Sequence, residues 1–279
     1  MKVFVTGASG QLGYDVCREL DRRGIENRGV SSLDLDITDA QSVKAALEDY
    51  CPDAVIHCAA YTKVDQAEND VNQCWAVNVD GTRNVAVACC AVGAKLLYLS
   101  TDYVFHGTGE RFYEPGDDVN PQNVYGASKL AGELAVQAML ERYFIMRVSW
   151  VFGKNGNNFV KTMLRLAETK SQVDVVCDQI GSPTYTADLA PLLCDMTNTE
   201  RYGLYHATNE GVCSWAQFAE EIFRLAGKHV KVNPIPTSEY PTPASRPLNS
   251  RLSKECLDAA GFSRLPQWQE AVRCYLLNS

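Results

Sequence analysis

The chain has 279 residues, of which 46% are hydrophobic and 22% are charged, and its formal net charge at pH 7 is -8. This composition supports a packed globular core, and the acidic balance argues against nucleic acid or an anionic membrane as a partner. The eleven cysteines form no C-x-x-C pair and lie mostly in apolar runs, so they predict reduced thiols and a cytoplasmic protein rather than a disulfide framework.

The first half of the chain alternates short apolar runs with helical patterns. Strands are predicted at 3–6, 27–30, 54–58, 95–100 and 144–148. Helices are predicted at 12–23, 38–50, 66–92 and after 123, with Thr38 and Gln41 as a capping box at the start of the second. Apolar strands separated by helices are typical of a parallel sheet covered on both faces. The pattern therefore predicts an α/β fold with a Rossmann-type, doubly wound parallel sheet.

The second half is less regular. Helices are predicted at 159–170, 187–197, 214–226, after 253 and at 267–276. Ser214 and Gln217 form another capping box, and the proline-rich stretch 233–247 predicts an ordered loop. We expect an NAD(P)-binding Rossmann domain at 1–150, to which some later segments return, and a smaller α/β domain at 151–279 that mainly binds substrate.

The amino-terminal segment 1–7 is too short and wrongly flanked for a signal peptide. No apolar run reaches the length of a membrane span. The sequence therefore predicts a soluble protein that does not bind a membrane.

A glycine motif, G-x-x-G-x-x-G, follows the first predicted strand and opens the first helix. Gly7 would allow a tight turn, Gly10 would let a pyrophosphate approach the backbone, and Gly13 would let the helix pack against the strand. Gln11 and Leu12 open the helix, whose free N–H groups stabilise phosphates. The alternative is an ordinary strand–helix turn, but the position at the start of an alternating pattern favours dinucleotide binding.

Cofactor preference depends on the end of the second strand. NAD-preferring proteins usually place an acid there to hold the ribose hydroxyls. Here Ser31 and Ser32 follow the strand, and serines do not repel a 2′-phosphate, so NADPH is favoured while NADH stays possible. Asp36 and Ile37 are expected to hold the adenine ring, although Asp36 could equally form a turn.

A Y-x-x-x-K pair supplies candidate catalytic groups. Tyr125 and Lys129 would lie one turn apart on one helix face. Tyrosine holds its proton at neutral pH and could protonate a developing alkoxide, and a lysine cation would lower its pKa. The fourth strand ends in Ser100 and Thr101, whose hydroxyls would bind the carbonyl oxygen at the carboxyl edge of the sheet. These elements together predict a ketone reductase.

The chain resembles the extended short-chain dehydrogenases/reductases through this glycine motif, strand end and Y-x-x-x-K pair. Within them it is similar to the dTDP-4-dehydrorhamnose reductase family, and the resemblance spans nearly the whole chain. The segments that carry it are Cys-Ala-Ala-Tyr-Thr-Lys-Val-Asp at 58–65, Ser-Thr-Asp-Tyr-Val-Phe at 100–105, Asn-Phe at 158–159, Asp-Gln-Ile-Gly-Ser-Pro-Thr at 178–184 and Pro-Thr-Pro-Ala-Ser-Arg-Pro-Leu-Asn-Ser-Arg-Leu at 241–252.

The resemblance implies a specific reaction, in which NAD(P)H reduces the 4-keto group of dTDP-6-deoxy-L-lyxo-4-hexulose to give dTDP-L-rhamnose. In that reaction Tyr125 would be the proton donor, Lys129 its partner and Thr101 the hydroxyl group. Ser100, Tyr125 and Lys129 would also touch the cofactor.

The resemblance also implies ligand contacts outside the catalytic set. The residues expected to line the nicotinamide or ribose are Ala59, Ala60 and Thr62. The residues expected to contact the sugar are Tyr103 and Trp150. For Trp150 the alternative is core packing.

Two arginines flank the proline-rich segment. A nucleotide diphosphate needs cations, and arginine suits bidentate phosphate binding. We therefore expect Arg246, Asn249 and Arg251 to bind the nucleotide end of the substrate. Surface ion pairs are the alternative for both arginines.

Some members of the family are described with magnesium and as dimers. No acidic extension follows the last predicted helix, so a magnesium-linked dimer is not expected, and monomer and homodimer both stay open. The four histidines show no metal spacing, so no metal site is predicted.

Two other functions compete with the reductase. One is a nucleotide-sugar epimerase or dehydratase of the same architecture, although a dehydratase usually adds a second acid where Tyr103 follows Asp102. The other is a non-catalytic regulatory subunit that binds a partner enzyme. A binding-only protein would have no need of the intact set Thr101, Tyr125 and Lys129.

Overall fold

The largest element of the computed structural model, which describes residues 1–278, is a six-stranded parallel sheet. The strands in chain order are β1 (Lys2–Thr6), β2 (Glu26–Val30), β3 (Ala54–His57), β4 (Lys95–Thr101), β5 (Tyr143–Val148), β6 (Val151–Phe152), β7 (Gln172–Val176), β8 (Ile180–Gly181), β9 (Thr184–Tyr185), β10 (Gly203–His206), β11 (Cys213–Ser214), β12 (Lys231–Ile235) and β13 (Asn249–Ser250). The main sheet has the order β10-β5-β4-β3-β1-β2, which confirms the predicted doubly wound architecture.

The helices cover both faces of this sheet. They are α1 (Gln11–Arg22), α2 (Ala40–Tyr50), α3 (Val64–Ala67), α4 (Val71–Trp75), α5 (Thr82–Val92), α6 (Val124–Met139), α7 (Phe159–Leu166), α8 (Thr186–Thr197), α9 (Trp215–Leu225), α10 (Glu255–Ala259) and α11 (Trp268–Leu277). Val3 and Val5 of β1 belong to the core that contains α1 and α8, whereas Phe4 belongs to the core that contains α2 and α5. The alternation follows from the two-residue period of a strand, and burial on both faces explains the continuous apolar runs.

The strand β10 was not predicted, although it pairs with β5 and completes the main sheet from the second half of the chain. Helix α8, also from the second half, packs against α1. A four-residue strand flanked by polar loops has too short a pattern to be found from periodicity alone.

Three local predictions were wrong. The helix predicted at 66–92 is broken at 68–70, where Asn69 and Asp70 have low helix propensity, and it contains a π-helical turn at Ala76–Gly81. Asp39, not Thr38, caps α2, because its carboxylate accepts from the amides of Gln41 and Ser42. The segment 233–247 is not all loop, since its first residues continue β12.

The second half has its own apolar core. Helices α7, α9 and α11 pack around the two-stranded sheet β12-β7, while β11-β8-β13 and β6-β9 form smaller sheets nearby. The capping box of Ser214 and Gln217 at the start of α9 is confirmed. No helix within residues 1–278 is both long enough and apolar enough to cross a membrane.

Candidate active site

The candidate residues collect at the carboxyl edge of the main sheet. The glycine motif begins where β1 ends, Thr101 is the last residue of β4, and Trp150 follows β5 by two residues. Because all six strands are parallel, these ends lie on one side of the molecule, which is where open α/β sheets bind ligands.

The glycine motif forms a tight loop against the end of β3. Gly7 has a φ of +69°, and a Cβ added to it would lie 2.6 Å from the amide nitrogen of Ala59. A Cβ at Gly13 would lie 2.2 Å from the Gly7 carbonyl oxygen, whereas Gly10 donates a hydrogen bond of 2.9 Å to that same oxygen. Leu12 points into the core, so only its backbone can face a ligand. This cradle beside the N-terminus of α1 fits the pyrophosphate of a dinucleotide.

Residues from the second half contact this loop, a feature that the sequence did not reveal. The side-chain amide of Asn155 donates to the Ser9 carbonyl at 2.6 Å, and that of Asn158 donates to Gln11 Oε1 at 3.0 Å. Asn158 also caps α7 through the Lys161 amide. The predicted cofactor residue Gln11 is therefore held by the second half of the chain.

The turn after β2 contains an acid that the sequence reasoning did not consider. The amide and hydroxyl of Ser31 donate to one carboxylate oxygen of Asp34 at 2.8 and 2.6 Å. The Ala8 amide donates to the Val30 carbonyl, which ties this turn to the glycine loop. A group that approaches Ser31 therefore also meets the charge of Asp34.

The adenine candidates take different positions. Asp36 is exposed, and its carboxylate accepts from the amide and hydroxyl of Thr38, as expected of a turn residue. Ile37 is buried in the core with α2 and α5, where a Cβ on Gly81 would lie 2.7 Å from its side chain. The structure thus gives both residues local structural roles beside their predicted ones.

The loop after β3 is held in place by a buried amide that sequence reasoning missed. Asn78 accepts from the Tyr61 amide at 2.8 Å and donates to the Ser128 hydroxyl of α6 at 2.9 Å. The predicted cofactor residues of this loop, namely Ala59, Ala60 and Thr62, are at least partly exposed. The one available signal was a polar residue inside an apolar helical stretch.

Thr101 and Tyr125 lie next to each other. The Thr101 side chain is near enough to influence the pKa of Tyr125, and the Tyr125 ring packs edge-on against Tyr103 with centroids 5.6 Å apart. Thr101 also donates to the carboxylate of Asp102 at 3.0 Å. Asn123 caps α6 by accepting from the Gly126 amide, which fixes the first helical turn under Tyr125.

Burial sets the ionisation of these groups. It raises the pKa of the Tyr125 phenol, and the negative charge of Asp102 adds to this effect. Burial also lowers the pKa of Lys129 to about 7 and raises that of Asp102 to about 6. The expected lowering of the Tyr125 pKa by the Lys129 ammonium is not seen. That ammonium lies over the ring of Tyr98. Tyr125 therefore keeps its proton throughout the neutral range.

A buried ion pair lies beneath the site. Glu133, one turn beyond Lys129, makes two hydrogen bonds of 2.8 and 2.6 Å with Arg147 on β5. Its carboxylate also accepts a short hydrogen bond from the Ser100 hydroxyl. Ser100, predicted to touch the cofactor, thus has its hydroxyl directed to Glu133.

Trp150 has an unusual backbone, with a φ of +48°. Its indole stacks on Trp215 with ring centroids 3.8 Å apart, and a Cβ on Gly181 would lie 3.0 Å from its ring atoms. A non-glycine residue in the left-handed region costs free energy, so the surrounding contacts must hold it there. Trp215 is a second aromatic of this site that the sequence did not point to.

Arg246 lies next to Tyr103. Its guanidinium donates to the Tyr103 hydroxyl at 3.1 Å and forms an ion pair with Asp65 at 2.5 Å. It also lines an open cavity of about 510 Å³. Residues from 237–245 form most of the remaining wall of that cavity.

Asn249 and Arg251 bind each other rather than the cavity. Asn249 is buried, and its amide donates to the Arg111 carbonyl at 2.8 Å while its oxygen accepts from Arg251 at 2.9 Å. Among the described residues, neither lines the cavity that Arg246 borders. Their observed contacts hold the segment after Arg246 in place.

Within residues 1–278 no cluster of three or more histidine, cysteine, aspartate or glutamate side chains is placed to hold an ion. No step of the proposed chemistry uses a metal ion.

Comparison with known proteins gives one matching family profile, two similar proteins and one similar crystal structure. The profile of the family described as "RmlD substrate binding domain" matches residues 1–279. The dTDP-4-dehydrorhamnose reductase of Streptomyces griseus is 44% identical over 96% of this chain and 91% of that protein. The spore coat polysaccharide biosynthesis protein SpsK of Bacillus subtilis (strain 168) is 41% identical over 99% of this chain and 96% of its own. A crystal structure of dTDP-4-dehydrorhamnose reductase from Bacillus anthracis in complex with NADP superimposes with a TM-score of 0.97, at 44% identity, over 100% of this chain and 99% of that one.

Proposed function

This chain belongs to the RmlD substrate binding domain family, and from that membership we propose that it is an NADPH-dependent dTDP-4-dehydrorhamnose reductase. Its substrate is dTDP-6-deoxy-L-lyxo-4-hexulose and its product is dTDP-L-rhamnose. The observation that carries this proposal is that Thr101 and Tyr125 are neighbours, with Lys129 one helical turn beyond Tyr125, at the sheet edge that also holds the glycine cradle.

NADPH supplies the hydride that reduces the ketone. The Tyr125 hydroxyl would donate to the sugar 4-keto oxygen, and the Thr101 hydroxyl, which donates to Asp102 in the structure, would turn to the same oxygen. As negative charge develops on that oxygen, Tyr125 donates its phenolic proton. The pKa of Lys129 is about 7, and the charged form of Lys129 stabilises the resulting Tyr125 phenolate.

The second half of the chain provides the substrate side of the site. We propose that Trp150 and Tyr103 contact the sugar and that Arg246 faces the nucleotide diphosphate. Asn249 and Arg251 would then support the segment that carries Arg246. The proposed division is 1–150 for the cofactor and 151–279 mainly for the substrate, with β10 and α8 returning to the first part.

The protein is further proposed to act in the cytoplasm as a monomer or a homodimer. The epimerase and dehydratase alternatives are disfavoured by the identity to reductases over nearly the full chain. A purely regulatory role is disfavoured because Thr101, Tyr125 and Lys129 are all present and assembled.

The cofactor preference can be measured directly. We expect kcat/KM for NADPH to equal or exceed that for NADH, because the Ser31 amide and hydroxyl can donate hydrogen bonds to a 2′-phosphate. In the structure the carboxylate of Asp34 accepts hydrogen bonds from both of these Ser31 donors. Asp34→Asn should therefore raise the NADPH/NADH ratio of kcat/KM by roughly fivefold, because it removes an exposed negative charge that repels the 2′-phosphate.

The control is Asp258→Asn, which removes an exposed acid from α10 beside the opposite edge of the sheet and should leave the ratio unchanged. A wild-type preference for NADH of about a hundredfold, equivalent to about 2.7 kcal/mol, would contradict the assignment of NADPH.

Arg246→Ala should raise KM for the nucleotide sugar by roughly 10- to 100-fold, because it removes a charge-assisted donor to the diphosphate. The Kd for NADPH should not change. The melting temperature should fall little, since the ion pair with Asp65 is only partly buried. Steady-state kinetics and calorimetry measure all three quantities.

The control for this variant is Arg224→Ala, which breaks an exposed ion pair with Glu221 on α9. It should change neither KM nor the NADPH Kd. A stable Arg246→Ala protein with an unchanged KM would exclude Arg246 from substrate binding.

NADPH oxidation with a small panel of 4-keto nucleotide sugars tests the function itself. The expected result is fastest turnover with dTDP-6-deoxy-L-lyxo-4-hexulose. Turnover that is equally fast with its C5 epimer, or no turnover with any member of the panel, would refute the assigned substrate.

A further inference from the structure

Tyr98 lies in the floor of the site, three residues before Thr101 on β4. It is fully buried, and the ammonium of Lys129 sits 4.1 Å from the centroid of its ring. The same ring stacks with His57 of β3 at a centroid distance of 5.8 Å. A buried lysine next to the proton donor therefore has the face of an aromatic ring as its close neighbour.

The other titratable groups near Lys129 do not supply a free negative charge. Glu133 favours the charged lysine, but its carboxylate is shared between Arg147 and Ser100. Burial raises the pKa values of the thiols Cys58 and Cys74, so both are neutral at physiological pH.

His57 also lies near Lys129, and burial lowers the pKa of His57 to about 3, so its ring is uncharged. Tyr125, one helical turn before Lys129, keeps its proton. Within residues 1–278 no carboxylate forms an ion pair with Lys129, whereas the π face of Tyr98 contacts its ammonium directly.

We propose that Tyr98 is the positioning residue for Lys129, and that its ring holds the ammonium beside Tyr125 and favours the charged form. An ammonium over an aromatic face is attracted by the ring quadrupole, and the attraction is strongest where water is excluded. This inference rests on the proposed function, because it assigns a supporting group to the catalytic lysine.

The hydroxyl of Tyr98 fixes the backbone of the same lysine. It donates to the Lys129 carbonyl oxygen at 3.2 Å, so one side chain contacts both ends of Lys129. A Cβ on Gly132 would lie 2.2 Å from this hydroxyl, which explains a glycine in the middle of α6. The ring and hydroxyl contributions can be separated, because phenylalanine keeps the ring and removes only the hydroxyl.

The direction of the effect follows from the charge. Burial already lowers the pKa of Lys129 to about 7. A weaker π face would lower it further, so that Lys129 loses its proton at a lower pH. Turnover should then decline at a lower pH on the alkaline side, since Lys129 must be charged to stabilise the Tyr125 phenolate.

The test first replaces Tyr98 by phenylalanine. It then replaces Tyr98 by mono-, di- and trifluorophenylalanine, because added fluorine weakens the π face of the ring while its shape is largely kept. The pKa of Lys129 is measured in the full-length protein by NMR of ε-¹³C-labelled lysine, with Lys129→Arg used to assign the signal. The expected result is a stepwise fall of about one pH unit across the series, a tenfold change in proton affinity. The alkaline limb of the pH profile of kcat should shift to lower pH together with the pKa of Lys129.

Tyr98→Phe alone should leave the titration near the wild-type value, which separates the ring from the hydroxyl. A pKa that does not change across the fluorinated series would overturn the proposal. The NMR titration needs no substrate, so it gives a result even if the proposed function fails. If wild-type protein reduces the sugar but the titration is flat, the reductase assignment stands and only the role of Tyr98 is lost.

Discussion

Tyr125→Phe is expected to lower kcat by about 10²- to 10⁴-fold, the usual contribution of a general acid. The substitution removes only the phenolic hydroxyl, so the ring can still pack against Tyr103. The pKa of Tyr125 is raised by burial, which means that the wild-type group is fully protonated at neutral pH and ready to donate. The Kd for NADPH, measured by fluorescence titration, should stay close to that of the wild type.

Tyr202→Phe is the matched control for this variant. Tyr202 precedes β10 at the opposite, amino-terminal edge of the sheet, where its hydroxyl accepts from Arg142. It should keep normal turnover. Near-normal turnover of Tyr125→Phe would show that another group protonates the alkoxide.

Glu133→Ala is expected to lower the free energy of unfolding by about 3–5 kcal/mol, because it leaves the Arg147 guanidinium buried without its counter-charge. The two side chains are only 2% and 3% exposed, so water cannot replace the lost partner. Equilibrium unfolding in urea measures the change. Ser100 would lose a hydrogen bond as well, and the base of the site would loosen.

Two comparisons give this result its meaning. The double variant Glu133→Leu with Arg147→Met removes both charges and should recover much of the lost stability. Glu221→Ala breaks the exposed pair with Arg224 and should cost less than about 1 kcal/mol. If Glu133→Ala were as mild as Glu221→Ala, the buried pair could not be what stabilises the base of the site.

The sequence was sufficient for the parts of the site that depend on local pattern. The glycines follow a strand and precede a helix, and Tyr125 and Lys129 are one helical turn apart, so spacing alone predicted their arrangement. Long apolar strands were also found, because burial on both faces leaves a continuous apolar run.

Features that depend on distant partners were not predictable. Glu133 and Arg147 are unremarkable charges until the fold buries them opposite each other. The stack of Trp150 on Trp215 joins residues from two different elements. Asn249 looked like a ligand-binding residue, yet the structure shows its amide bonded to a backbone carbonyl. Tertiary contacts, not the local sequence, decide which polar side chains remain free to bind a ligand.

The direct test of the central claim follows the hydride. Wild-type protein is incubated with dTDP-6-deoxy-L-lyxo-4-hexulose and NADPH that carries deuterium in the transferable position of the nicotinamide C4. We expect dTDP-L-rhamnose with deuterium at C4 of the sugar, identified by NMR and mass spectrometry, and formed in a reaction that Tyr125→Phe nearly abolishes. Recovery of the unreduced ketone with NADPH unconsumed, or of a product without deuterium at C4, would contradict it.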